Sequence, residues 1–145
     1  MVHGLTRVRT FCQDDAHIFC APEQIEQEIR SVIAMIRHMN TTFGFAETRV
    51  YLSTRPEKSI GSDAMWENAE AALRGVLASE GVDYRLNAGD GAFYGPKIDF
   101  DVTDSIGRHW QLGTIQLDYN APERFDLTYT GEDNATHRPV VIHRA

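Results

Sequence analysis

The chain is poor in cysteine, poor in positive charge and free of long apolar runs, and each shortage excludes something. Two cysteines, Cys12 and Cys20, cannot build a disulfide scaffold and suit a reducing, cytoplasmic setting. Fourteen Lys and Arg against 21 Asp and Glu leave a net charge of −7. That balance argues against non-specific nucleic-acid binding, which rests on cationic side chains neutralising phosphates. No apolar run nears the roughly 20 residues that span a bilayer, so no membrane partner is expected. Met1-Val2-His3-Gly4 opens directly on polar sequence, so no secretory leader is expected. Repeats and low-complexity tracts are absent too. What is present is 145 residues, 42% of them hydrophobic, enough for the core of a single domain over residues 1–145.

Periodicity divides this length into elements. Leu5 to Phe19 reads as one or two strands, with Gln13-Asp14-Asp15 as a place to bend. Pro22 suits a first helical turn, with Glu23 at the positive end of the dipole. Ile25, Ile29, Val32, Ile33, Ile36 and Phe43 then recur at helical spacing, and Gly44 is a stop. Residues 49–53 form a short strand. Ser62 or Asp63 caps a second helix whose stripe is Trp66, Ala69, Leu73, Val76 and Leu77, ended by Gly81. Ile98-Asp99-Phe100-Asp101-Val102 alternates apolar with acidic, as a half-solvated antiparallel strand does. Its partner runs from Arg108 to Asp118, another strand from Phe125 to Thr130, and a last one leads to His143. Two helices among strands, without regular β-α-β alternation, predict an α+β fold: a mostly antiparallel sheet with flanking helices.

Chemistry concentrates in three places. The first is Phe11-Cys12-Gln13-Asp14-Asp15-Ala16-His17-Ile18-Phe19-Cys20. Run as a strand, it sets Gln13, Asp15 and His17 on one face, with Arg7, Arg9 and Phe11 extending it. Two readings are open: a solvated edge strand, or the wall of a site for a polar, charged ligand. The second place is the glycine-rich Gly89-Asp90-Gly91-Ala92-Phe93-Tyr94-Gly95-Pro96-Lys97, where the backbone can turn sharply or approach a ligand. The third is Gln111, Thr114 and Gln116. Gln111 falls on the wrong face for a regular strand, but a bulge at Gly113 rotates it towards Thr114 and Gln116.

These blocks, with Gly61-Ser62-Asp63, Gly131-Glu132-Asp133-Asn134 and Val140-Val141-Ile142-His143, resemble threonyl-tRNA synthetases in order along the whole chain. Those are class II aminoacyl-tRNA synthetases. The likeness starts in the second half of their motif 2 and covers part of the catalytic domain. It implies ATP-dependent activation of threonine and its transfer to tRNA-Thr. It places Arg7 and Lys97 in catalysis and on ATP, together with Phe11, Gln111 and Thr114. It places Gln13, Asp15, Tyr94 and Gln116 on threonine, and His17 and His143 on a Zn²⁺ ion. Mg²⁺ accompanies the ATP, and the full-length family is a homodimer.

The departures count as well. A zinc site usually takes at least three protein ligands, and the family's third is a cysteine upstream of the region matched here. Cys12 and Cys20 both alternate off the face of His17. Motif 1, the first half of motif 2, motif 3 and the tRNA-binding domains have no counterpart in the chain. The expectation is therefore a core piece with little activity alone and an incomplete zinc site. The alternative is a free-standing paralogue that binds threonine, adenylate or a partner protein without catalysis. Setting the resemblance aside leaves a small His/Asp metal-dependent enzyme.

Overall fold

The computed structural model describes residues 8–45 and 47–145. Among the described residues eight strands and three α-helices follow one another: β1 Ala16–Cys20, α1 Ile25–Thr42, β2 Thr48–Ser53, α2 Asp63–Ser79, β3 Arg85–Asn87, β4 Lys97–Thr103, β5 His109–Asp118, α3 Asn120–Arg124, β6 Tyr129–Thr130, β7 Thr136–His137 and β8 Val140–Arg144. Six of the strands make one sheet in the order β1-β8-β5-β4-β2-β3, and β6 and β7 form a separate hairpin. Every pairing is antiparallel except β2 with β3. This is the α+β architecture expected.

The helices form where the periodicity puts them. Pro22–Gln24 is a turn of 3-10 helix that leads into α1, and Gly44 leaves the helix with φ +77°. Ser62 Oγ accepts from the Met65 amide and caps α2, an arrangement worth about 1 kcal/mol. Ile29, Ile33, Leu73 and Leu77 lie against Leu52, Ile98, Phe100, Ile115, Leu117 and Ile142 in one core. Full burial of each such side chain stabilises by roughly 1.5–3 kcal/mol. Cys20 sits in this core, and burial, with Glu28 and Glu23 nearby, pushes its thiol up to about 11. It is unsuited to be a metal ligand, whereas Cys12 is exposed.

Four expectations fail, each for a physical reason. Among the described residues the first strand is confined to Ala16–Cys20; residues 8–15 have no strand partner. Phe43 is 70% exposed, because it follows the last residue of α1 and leaves the helical stripe. Phe125 ends α3 instead of starting a strand: Asp118 Oδ1 accepts from the Asn120 and Ala121 amides and starts a helical turn there. Lastly, β4 is solvated only in part: Asp101 is half-buried, but Asp99 is 3% exposed because Ser53, Lys97, Gln111 and Thr114 close over it. The bulge in β5 does form. Phe100 pairs with Gly113 and Asp101 with Gln111, so Leu112 is the extra residue.

Candidate functional site

With helices on one face, the other face of the sheet is left to the polar residues. The register aligns one row across all six strands. His17 pairs with His143, His143 with Gln116, Gln116 with Lys97, Lys97 with Ser53, and Ser53 with Asn87. Directly opposed residues share a face, so residues far apart in sequence meet in one line.

At the β1 end of this row the two imidazoles are edge to face, with ring centroids 4.6 Å apart. Asp118, 2% exposed, lies behind them, its Oδ2 3.0 Å from His143 Nε2. A carboxylate only accepts, so Nε2 donates, which in the neutral ring leaves Nδ1 with its lone pair. Tyr94 comes from the glycine-rich loop, its ring centroid 5.2 Å from that of His143. Two of the loop's glycines, Gly91 and Gly95, admit neighbouring backbone. A Cβ on Gly91 would lie 2.6 Å from the Thr54 oxygen, and one on Gly95 1.9 Å from the Leu117 oxygen. Asn120 Nδ2 donates to the Tyr94 carbonyl at 2.7 Å, and the Tyr94 hydroxyl donates to Gln116 Oε1. Burial, then the charges of Asp118 and Asp15, raise the Tyr94 phenol above its ordinary range, so it keeps its proton at neutral pH.

Residues 13 and 15 reach the same place without strand pairing, because Arg144 Nη1 holds Asp14 through its Oδ1 at 2.9 Å and its carbonyl at 3.0 Å. Gln13, Asp15, His17, Tyr94, Thr114, Gln116 and His143 thus line one pocket of about 310 Å³. A wider cavity of about 1020 Å³ adjoins it, lined by Phe11, Gln111 and Trp110 and sharing Gln13 and Ala145 with the first. Thr114 lies in the smaller pocket. Lys97 lines neither; its ammonium is 3.0 Å from Asp99 Oδ2 and 3.7 Å from Asp90 Oδ2. Arg7 lies outside the described residues. Among the described residues no three His, Cys, Asp or Glu side chains converge as a metal site. The imidazole pair and its orienting carboxylate have the chemistry of a zinc site, one protein ligand short.

Two residues were missed by the sequence reading, Asp99 and Asp118. Each alternates in a strand as a solvated acid does, and only the neighbouring strands reveal that it is buried.

The sequence and the fold match a known class. The sequence of residues 1–145 fits the family of the tRNA synthetase class II core domain (G, H, P, S and T), and the chain belongs to that family. Within it, the chain is similar to threonine–tRNA ligases. That of Myxococcus xanthus is 61% identical over 142 residues, 98% of this chain and 22% of that protein. That of Acetivibrio thermocellus is 62% identical over 144 residues, 99% and 22% respectively. The crystal structure of the RNA binding domain of threonyl-tRNA synthetase from Cryptosporidium parvum superposes with a TM-score of 0.92 at 48% identity, covering 99% of this chain and 36% of that one. The chain thus spans about a fifth of the length of these curated relatives.

Proposed function

We propose that this chain is part of the catalytic core of a threonine–tRNA ligase, contributing the threonine pocket and one wall of the ATP site. The observation that carries the reading is the pair of adjoining cavities, a smaller one of about 310 Å³ and a wider one of about 1020 Å³. They suit an amino acid and a nucleotide meeting at Gln13. Threonine's carboxylate oxygen attacks the α-phosphorus of ATP, the bond to the β-phosphate bridge breaks, and pyrophosphate leaves. Such chemistry depends on positioning and charge more than on covalent help.

Asp15 and Tyr94 take the substrate's amino group, and Gln13 and Gln116 fix the rest of the amino acid. Phe11 and Gln111 face the nucleotide in the wider cavity, Thr114 stands in the smaller pocket beside Gln116, and Arg7 and Lys97 meet the phosphates with Mg²⁺; Lys97 then exchanges part of its bond to Asp99 for phosphate. His17 and His143 would hold a zinc ion, which would supply a Lewis acid for the substrate's amino and hydroxyl groups. A site that engages a hydroxyl rejects the analogue lacking it by roughly four to five decades, which separates threonine from valine. The tRNA-Thr contacts, the homodimer and the cytoplasmic setting belong to the same reading.

The test is a transplant. The matching stretch of the Myxococcus xanthus ligase is replaced by this chain, and ATP–pyrophosphate exchange is followed with and without threonine. The expected exchange is threonine-dependent and within about tenfold of the parent, or ~1.4 kcal/mol of barrier. A folded chimera without exchange, or with exchange indifferent to threonine, would overturn the proposal.

A further inference from the structure

Four donors converge on one buried carboxylate under the pocket. Asp99 Oδ2 accepts from Ser53 Oγ at 2.7 Å and from the Lys97 ammonium at 3.0 Å. Asp99 Oδ1 accepts from Gln111 Nε2 at 2.6 Å and from Thr114 Oγ1 at 3.3 Å. A carboxylate has about four lone-pair sites and no proton to give, so this one is filled and fixes the direction of every bond it takes.

That direction travels into the pocket. Thr114 spends its hydroxyl proton on Asp99, so its oxygen accepts from Gln116 Nε2 at 3.5 Å. Gln116 is thereby turned with Oε1 towards Tyr94, and the phenol donates to it. The phenol proton is then committed, and what Tyr94 offers the pocket is an oxygen lone pair. An oxygen acceptor beside Asp15 suits a cationic or hydroxyl-bearing ligand; a donor there would repel an ammonium.

We infer that Asp99 is a positioning residue for amino-acid recognition: through Thr114 and Gln116 it keeps Tyr94 an acceptor towards the ligand's ammonium, without touching the ligand itself. This rests on the reading of the smaller pocket as the threonine site. It also gives the burial of Asp99 a purpose that strand packing alone does not require. A neutral Asn at 99 can itself donate to Thr114. The chain of bonds then runs the other way, Thr114 to Gln116 and Gln116 to Tyr94, and the phenol proton points into the pocket.

The experiment titrates L-threonine into this chain and into Asp99→Asn, each with Tyr94 present and with Tyr94→Phe. Asp99→Asn should weaken threonine roughly tenfold or more with Tyr94 present, the worth of one hydrogen bond to a charged group. It should cost less than about twofold in the Tyr94→Phe background, because residues acting through one network are not additive. Equal losses in both backgrounds, or none, would overturn the inference. Thr114→Val cuts the same chain of bonds while leaving Lys97 its counter-charge, and should show the same coupling to Tyr94 if Asp99→Asn fails to fold. A ligand-free reading separates this inference from the one beneath it: the side-chain amide resonances of Gln116 should move in Asp99→Asn. If they move while the parent chain takes up no threonine, the threonine pocket fails and the positioning role stands. If they stay put, the positioning role fails whatever binds.

Discussion

Gly95→Ala should destabilise the chain by roughly 3 kcal/mol or more, at the far end of what overpacking costs. The added Cβ would lie 1.9 Å from the Leu117 backbone oxygen, a distance no rotamer can relieve because both atoms are fixed to backbone. The loop would have to lift off β5, where the Leu117 amide donates to the Pro96 carbonyl at 3.1 Å. Tyr94 rides on that loop, so its bond to Gln116 and its place over His143 go together. Chemical denaturation of the parent and the variant measures the loss. A variant within about 1 kcal/mol of the parent, outside the severe class, would show that the loop is not seated as described. Gly44→Ala is the control, since its Cβ meets nothing within 4 Å and only its φ of +77° is penalised.

The second large effect is expected at Asp118. Its Oδ1 accepts from two amides at the start of α3 and its Oδ2 holds His143. Asp118→Ala strands those amides and the imidazole together. Loss of a helix cap costs about 1 kcal/mol, and each buried group left unpaired adds about 1–3, so a loss near 3 kcal/mol is expected. Asp118→Asn keeps the capping oxygen and should cost less than about 1 kcal/mol, within one ordinary hydrogen bond. It should nonetheless weaken Zn²⁺ uptake by the His17–His143 pair about 10- to 100-fold, as loss of an orienting carboxylate does. Calorimetric titration with zinc and a denaturation curve read the two effects separately. If Asp118→Asn leaves zinc uptake unchanged, the carboxylate does not orient that imidazole.

The sequence made some of this legible and hid the rest for identifiable reasons. Ile25, Ile29, Val32, Ile33 and Ile36 mark α1 because helical period and burial coincide along one face. Gly113 pointed to a bulge because Gln111 stood out of phase with Thr114, and the bulge formed beside it, at Leu112. Both signals are local. The burial of Asp99 is not local: Ser53, Gln111 and Thr114 reach it from two other strands. The stretch before His17 misled for the converse reason. Its alternation is that of a strand, but residues 8–15 have no neighbouring strand among the described residues. Asp14, between Gln13 and Asp15, is instead held by Arg144 from the last strand.

The pocket under Tyr94 is proposed to recognise an amino acid by its amino group and its hydroxyl. The most direct measurement of this is a nuclear magnetic resonance titration of this chain, with equimolar Zn²⁺, against L-threonine and against L-valine, which differ by one hydroxyl in place of a methyl. L-threonine should move the resonances of His17, Tyr94, Gln116 and His143 together, and L-valine at the same concentration should leave them in place. Equal responses to both amino acids, or a threonine response confined to residues away from these four, would contradict it.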